Sequence, residues 1–271
     1  MSRLLLIRRA QRFSTVDTNV DAAVLDRIAH SSQCPFPCDI LDEDDVVDNR
    51  LPYPSSAISH VLNMARGSQC LNILGQWEAR GITIINAPKA VRSCQRGILN
   101  AILLEEGLIT YSHTDQNGYW VKPADSQGLH AGGSIYCNTM AEAEVKRQQY
   151  INNGFDDTII SAHVEGRVVK FYGVTDAIHI TDITADTCNA VFFRTYDAEK
   201  RPMHLPTSIQ QSLRHAAFRL ARRLSIHVFG GDAIVQDNGD VAVIDLNDWP
   251  SFSPCVDEAA TAIVTLLSQE V

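Results

Sequence analysis

The stretch FGGDAIVQDNGDVAVIDLNDWPSF, residues 229–252, decides how the rest of the chain is read. Its first half, Asp232-Ala-Ile-Val, runs into the turn Asp237-Asn-Gly-Asp240, and its second half is Val241-Ala-Val-Ile-Asp-Leu-Asn. β-Branched runs on either side of Asn-Gly predict an antiparallel hairpin. Asp245 and Asn247 are two residues apart, so on a strand their side chains share a face. Asp232, on the partner strand, reaches the same edge of the sheet. Two carboxylates and an amide are hard oxygen donors, a set that suits Mg²⁺ while leaving positions for water and phosphate oxygens. Without their surroundings, Asp245 and Asn247 would be read sooner as part of a solvated hairpin.

The surroundings favour the metal. A helix over Ser208–Leu224, rich in Ala, Leu and Arg, leads into Ile226-His-Val-Phe-Gly-Gly-Asp, and Asn247-Asp-Trp-Pro-Ser-Phe follows the hairpin. This order of helix, strand with a terminal Asp, turn, strand ending Asp-x-Asn, and Pro-aromatic bend resembles the C-terminal metal-binding segment of ATP-grasp enzymes. Within that superfamily it looks most like the inositol polyphosphate kinases. The resemblance implies that Asp232, Asp245 and Asn247 hold magnesium on ATP.

Composition is compatible with such an enzyme. The 271 residues are 45% hydrophobic, enough for a substantial core in one large or two modest domains. A net charge of −9 argues against a nucleic-acid coat. Seven cysteines, scattered and odd in number, read as reduced thiols of a cytoplasmic protein. Cys34 and Cys38 form the one close pair, and with no second pair at zinc spacing a zinc site is not expected. The opening apolar run, Leu4-Leu-Leu-Ile7, is too short for a signal segment or membrane span and reads as a buried strand. Oligomeric state leaves no mark in the sequence.

Strand and helix signals alternate over residues 1–88: Arg3–Ile7, Val20–His30, Asp39–Leu41, Ala57–Met64, Ser68–Arg80 and Ile82–Ile85. They predict a small, open, mostly parallel α/β sheet. The acidic, Pro-containing residues 42–56 are expected to be a solvated loop. After Asn86-Ala-Pro, one amphipathic helix is expected over Lys89–Leu108, with Ile98, Ala101, Ile102 and Leu104 inward. The order strand, Asn-Ala-Pro, helix is similar to the passage from the N-terminal domain to the nucleotide-binding part of ATP-grasp enzymes. The expected architecture is therefore α/β and α+β. An N-terminal α/β domain (1–88) precedes an ATP-grasp domain (89–271), whose two α+β subdomains, the central one about 110–165, enclose the nucleotide.

The resemblance extends to further site residues. Lys122, in Val-Lys-Pro, is similar to the family lysine on the α/β-phosphates, and the loop after it carries Gly128, Gly132 and Gly133. Those glycines allow backbone amides near phosphates, although their spacing departs from the family's tighter loop and also fits a plain flexible hairpin. Residues Ile159–Val174 look like the ATP-grasp hinge and the strand after it, which implies adenine recognition by the backbone of Ala162, His163 and Val164. The usual acidic hinge residue is absent. Lys170 matches a lysine of the inositol-kinase branch near the transferred phosphate. Arg96 stands where most members have a helix lysine on the phosphates, and its planar fork keeps the charge but changes the geometry. Arg194 is positioned like a family arginine that helps hold phosphate or substrate. Arg66 could reach an anionic substrate between the domains on topology alone. His163, His179, His204 and His227 share no metal-ligand spacing, and Arg214, Arg219, Arg222 and Arg223 form a solvated helix face.

The resemblance thus implies a cytoplasmic, ATP- and Mg²⁺-dependent ligase joining a carboxylate to an amine through an acyl phosphate, with Lys170 and Arg194 as catalytic candidates. Its partners would be ATP and an unidentified small-molecule or peptide acceptor, without nucleic acid or membrane. A small-molecule kinase, and a nucleotide-binding protein without turnover, are the alternative readings.

Overall fold

The computed structural model describes residues 2–14, 18–108, 117–124, 133–155, 158–175 and 190–269. Its first sheet contains β1 (Arg3–Arg8), β2 (Cys38–Asp42), β3 (Ile58–Asn63) and β4 (Thr83–Ile85), all parallel, in the order β2-β1-β3-β4. Leu4, Leu5, Leu6 and Ile7 are fully buried, as in a parallel strand covered on both faces. Their alternation divides them between two cores. Leu4 and Leu6 pack with α1 (Thr18–Ala29) and α8 (Val256–Ser268), whereas Leu5 and Ile7 pack with Cys70, Leu74 and Trp77 of α3 (Ser68–Glu78).

The acidic segment is not the solvated loop expected from composition. It forms α2 (Glu43–Val47), entered through a capping box between Asp42 and Asp45, and a short 3₁₀ turn at Ser55–Ala57. Carboxylates at the start of a helix satisfy its free amides, which is why an acidic run can nucleate one. The single helix expected after Asn86 is also two helices, α4 (Pro88–Ser93) and α5 (Arg96–Glu105). Gln95 is extended, so the second helix restarts out of phase. Leu99 and Leu103 are buried instead, Ile102 and Leu104 are half-buried, and Ile98 and Ala101 are exposed.

A three-stranded antiparallel sheet contains β5 (Tyr119–Pro123), β6 (Ile135–Cys137) and β7 (Thr158–Ala162) in the order β6-β5-β7. Helix α6 (Met140–Asn152) packs on it. The four-stranded antiparallel sheet contains β8 (Arg167–Thr175), β9 (Ala190–Tyr196), β10 (Val228–Val235) and β11 (Val241–Asp248), ordered β11-β10-β8-β9. One face, with Val169, Phe171, Phe229 and Val243, packs on α7 (Thr207–Leu224) and α5. On the opposite face Tyr172 and Val174 rest against α8, which joins this sheet to the first. No helix among the described residues is long and apolar enough to cross a membrane.

Candidate functional site

The hairpin forms in the expected register: Asp232 stands opposite Asp245, and Gly230 opposite Asn247. A register shift between Asp232 and Ala233 leaves Ile244 as the extra residue on β11. Both Ile244 and Asp245 then line the open face, a re-aiming typical of a bulge. Gly231 is required by the close pairing, since a Cβ there would stand 2.2 Å from the Asp245 carbonyl oxygen.

Asn247 Nδ2 donates to Asp245 Oδ2 at 3.0 Å, and Lys170 Nζ donates to Asp232 Oδ1 at 2.9 Å. Burial pushes the Asp245 carboxyl up; the Asn247 hydrogen bond opposes this, and the neighbouring Asp232 charge adds to it. Among the described residues no three His, Cys, Asp or Glu side chains gather as a metal site. The carboxylates here are thus two, completed by an amide. That set, with a carboxyl held in a charge-disfavouring place, fits a Mg²⁺ ion that takes its remaining ligands from water and phosphate.

Asp232 and Asp245 lie at one end of a cleft of about 400 Å³, within the usual range for ligand pockets. Trp120 and Lys122 of β5 and Ile159 and Ser161 of β7 form one wall; Val168, Asp232, Ile234 and Asp245 form the other. Arg96, Leu99 and Leu103 of α5 close the side, and Ala162, His163 and Val164 lie where the sheets join. Burial lowers the Lys122 ammonium, countered by Asp245 and reinforced by Arg96. Lys122, Arg96, Asp232 and Asp245 therefore sense one another across the cleft. Arg96 is held there by donating Nη1 to the Pro123 carbonyl at 2.7 Å. The backbone N–H of His163 is engaged by Gly118 at 2.9 Å, while its Nδ1 accepts from Trp120 Nε1 at 2.9 Å.

Arg194 does not line this cleft. It stands opposite Tyr172 on the face that α8 covers, donating to Phe193 O at 3.0 Å and to Glu258 of α8 at 3.3 Å, half exposed. Gly128, Gly132 and His179 lie outside the described residues. Arg66 points to the end of the hairpin, pairing with Asp248 at 2.7 Å.

No protein-family model matches the sequence, and no curated protein sequence matches it. Solved structures do match. The D-alanine–D-alanine ligase from Bacillus anthracis superposes with a TM-score of 0.66 at 13% identity over the whole of both chains. The same ligase complexed with ATP gives 0.63 at 14% identity, covering 100% of this chain and 99% of that one. The D-alanine–D-alanine ligase from Coxiella burnetii gives 0.65 at 10%, covering 100% and 97%. The chain has the ATP-grasp fold.

In this fold the open α/β sheet reaches the hairpin through residues that local sequence patterns mostly leave unmarked. Glu43, fully buried, accepts from the backbone amides of Ala10 (3.3 Å), Arg66 (2.7 Å) and Gly67 (3.1 Å), tying together the loops after β1 and β3. Asp248, also fully buried, follows Asn247 directly and takes Arg66 as its counter-charge. Asn86 accepts from the amides of His227 and Val228 at 2.8 and 3.0 Å and donates to the Val228 carbonyl at 2.7 Å, anchoring β10. Of these, only Asn86 carries a local signal, its place in the Asn-Ala-Pro junction.

Proposed function

We propose that the chain binds Mg-ATP in this cleft and uses it to join a carboxylate to an amine. The observation that carries the reading is the convergence of Lys122 and Arg96 with Asp232 and Asp245 on one cleft, in a fold shared over its full length with ATP-grasp ligases. Asp232, Asp245 and Asn247 would hold the magnesium, which neutralises phosphate charge and polarises the transferred group. Lys122 and Arg96 would position the phosphates as a point charge and a planar fork. Ala162, His163 and Val164 would meet the base, with Trp120 fixing the His163 ring. Gly128 and Gly132 would belong to the loop over the phosphates. The remaining task is electrostatic, since phosphoryl transfer needs no protein nucleophile. The domain division at residue 88 belongs to the same reading, with the acceptor entering from the first sheet.

A second reading, phosphoryl transfer to an alcohol, is favoured by Lys170, whose ammonium stands at Asp232 as a charge beside the transferred phosphate would. Arg194 would take part in either reaction only after leaving Glu258. Product analysis separates the two. A ligase releases ADP and inorganic phosphate and, with hydroxylamine as the amine, yields a hydroxamate; a kinase yields ADP and a phosphate ester without inorganic phosphate. Absence of Mg-ATP binding by calorimetry would remove both.

A further inference from the structure

Outside the cleft, Cys34 and Cys38 bracket the entry to β2, and their sulfurs stand 3.3 Å apart. The loop between them is held throughout. Cys34 N donates to Ser31 O at 3.2 Å, the Pro37 carbonyl accepts from Leu4 N at 3.0 Å, and the Phe36 ring stacks on His60 at 4.4 Å. Pro35 and Pro37 restrict the backbone on either side of Phe36. The thiols are therefore presented to each other by the fold, and both are half-buried. Cys70, Cys94, Cys137 and Cys255 are buried, as inert structural thiols are.

The two thiols are unequal. The Cys38 thiol and the Phe36 backbone hold Cys34 down at about 6, against the effect of burial. Cys38, whose sulfur also lies 3.3 Å from the Phe36 carbonyl oxygen, is held above the ordinary thiol range. With that inequality Cys34 would act as the nucleophile and Cys38 as the resolving thiol.

We propose that Cys34 and Cys38 form a redox centre that closes to a disulfide by exchange with a small disulfide of the glutathione type and reopens with a dithiol. The Cys34 thiolate attacks one sulfur of the small disulfide, forming a mixed disulfide and releasing one thiolate. Cys38 then attacks Cys34 Sγ, its proton passing to the released thiolate, and the second small thiolate leaves. Counted from the Cys34 thiolate and the Cys38 thiol, the protein loses two electrons and one proton, and the small disulfide becomes one thiol and one thiolate, the latter taking its proton from water. Closure brings the sulfurs from 3.3 Å to about 2.05 Å, a short local movement.

The tryptic peptide spanning residues 28–50 contains both cysteines and no other. The test is to incubate the full chain with oxidised glutathione, quench with N-ethylmaleimide and weigh this peptide. The expected product is lighter than the reduced peptide by two hydrogens, is not alkylated, and reverts with dithiothreitol. Cys38→Ser is expected to stop at a glutathione adduct on Cys34, and Cys34→Ser to give neither disulfide nor adduct at residue 38. Two results overturn the proposal: a wild-type peptide alkylated at both positions after oxidation, or one that retains glutathione. Both are read on the wild-type chain, so neither depends on how a variant folds.

Discussion

Lys170 and Asp232 face each other across β8 and β10, with Nζ 2.9 Å from Oδ1. A metal ion on Asp232 must share or take over that carboxylate, and on the proposed reading the lysine so displaced would meet phosphate oxygens. Lys170→Met is expected to strengthen binding of free Mn²⁺ while weakening Mg-ATP. Loss of one charge-assisted hydrogen bond, about 1.5 kcal/mol, corresponds to roughly tenfold in affinity. Calorimetry with each ligand measures both directions, and unchanged Mg-ATP affinity would take Lys170 out of the phosphate site.

Asp245→Asn keeps the shape of the proposed metal site and removes a charge that burial disfavours. The nucleotide-free protein should melt at a higher temperature, and the stabilisation expected of the wild type with Mg-ATP should be absent. Asn247→Ala is expected to weaken Mg-ATP without raising the melting temperature. A thermal shift with Mg-ATP equal to that of the wild type in both variants would remove the hairpin from the metal site.

The hairpin is legible in the sequence because its chemistry is local: turn residues, a two-residue spacing and β-branched flanks act within one segment. Lys122, Arg96 and Ala162, His163 and Val164 are singled out by order along the chain, and the structure places them around one cleft. Order along the chain misplaces Arg194, because its orientation depends on Glu258 of α8, a helix with no partner legible in the sequence. Glu43 shows the opposite failure. Acidic composition suggests solvent, yet three amides from two distant loops converge on this one carboxylate. The phase of α5 is hidden because one extended residue, Gln95, resets it.

Arg66 and Asp248 provide a test of how the first sheet is fixed to the hairpin. Among the described residues neither Asp248 oxygen makes a well-aligned hydrogen bond, so the ion pair at 2.7 Å is its principal compensation. Removing one partner of a buried pair leaves an uncompensated charge, so Arg66→Met should cost about 3 kcal/mol in denaturant unfolding. Arg66→Met combined with Asp248→Leu should recover part of that loss. If the double variant is no more stable than the single one, Asp248 is not supported through Arg66.

Glu43→Ala is expected to orphan the amides of Ala10, Arg66 and Gly67 together. At about 1 kcal/mol or more for each buried unsatisfied group, the loss should reach roughly 3 kcal/mol. Amide hydrogen exchange would then accelerate at the loops after β1 and β3 more than at α7, which is remote from them. Uniform acceleration throughout the chain would indicate general destabilisation and not a local tie.

The reactivity of Cys34 gives a prediction in pH. Its thiol is held down to about 6 by hydrogen bonds from Cys38 and the Phe36 backbone. Below that pH it is protonated and slow; as pH rises through 6 the thiolate accumulates, so iodoacetamide modification at residue 34 should accelerate and level off near neutrality. Cys38→Ala removes the larger of those two contributions, and the inflection should move up towards the ordinary thiol value of about 8.5. Rates read from alkylated peptide across pH 5–9 decide it. A wild-type inflection already near the ordinary value would show that the Cys34–Cys38 contact does not activate the thiol.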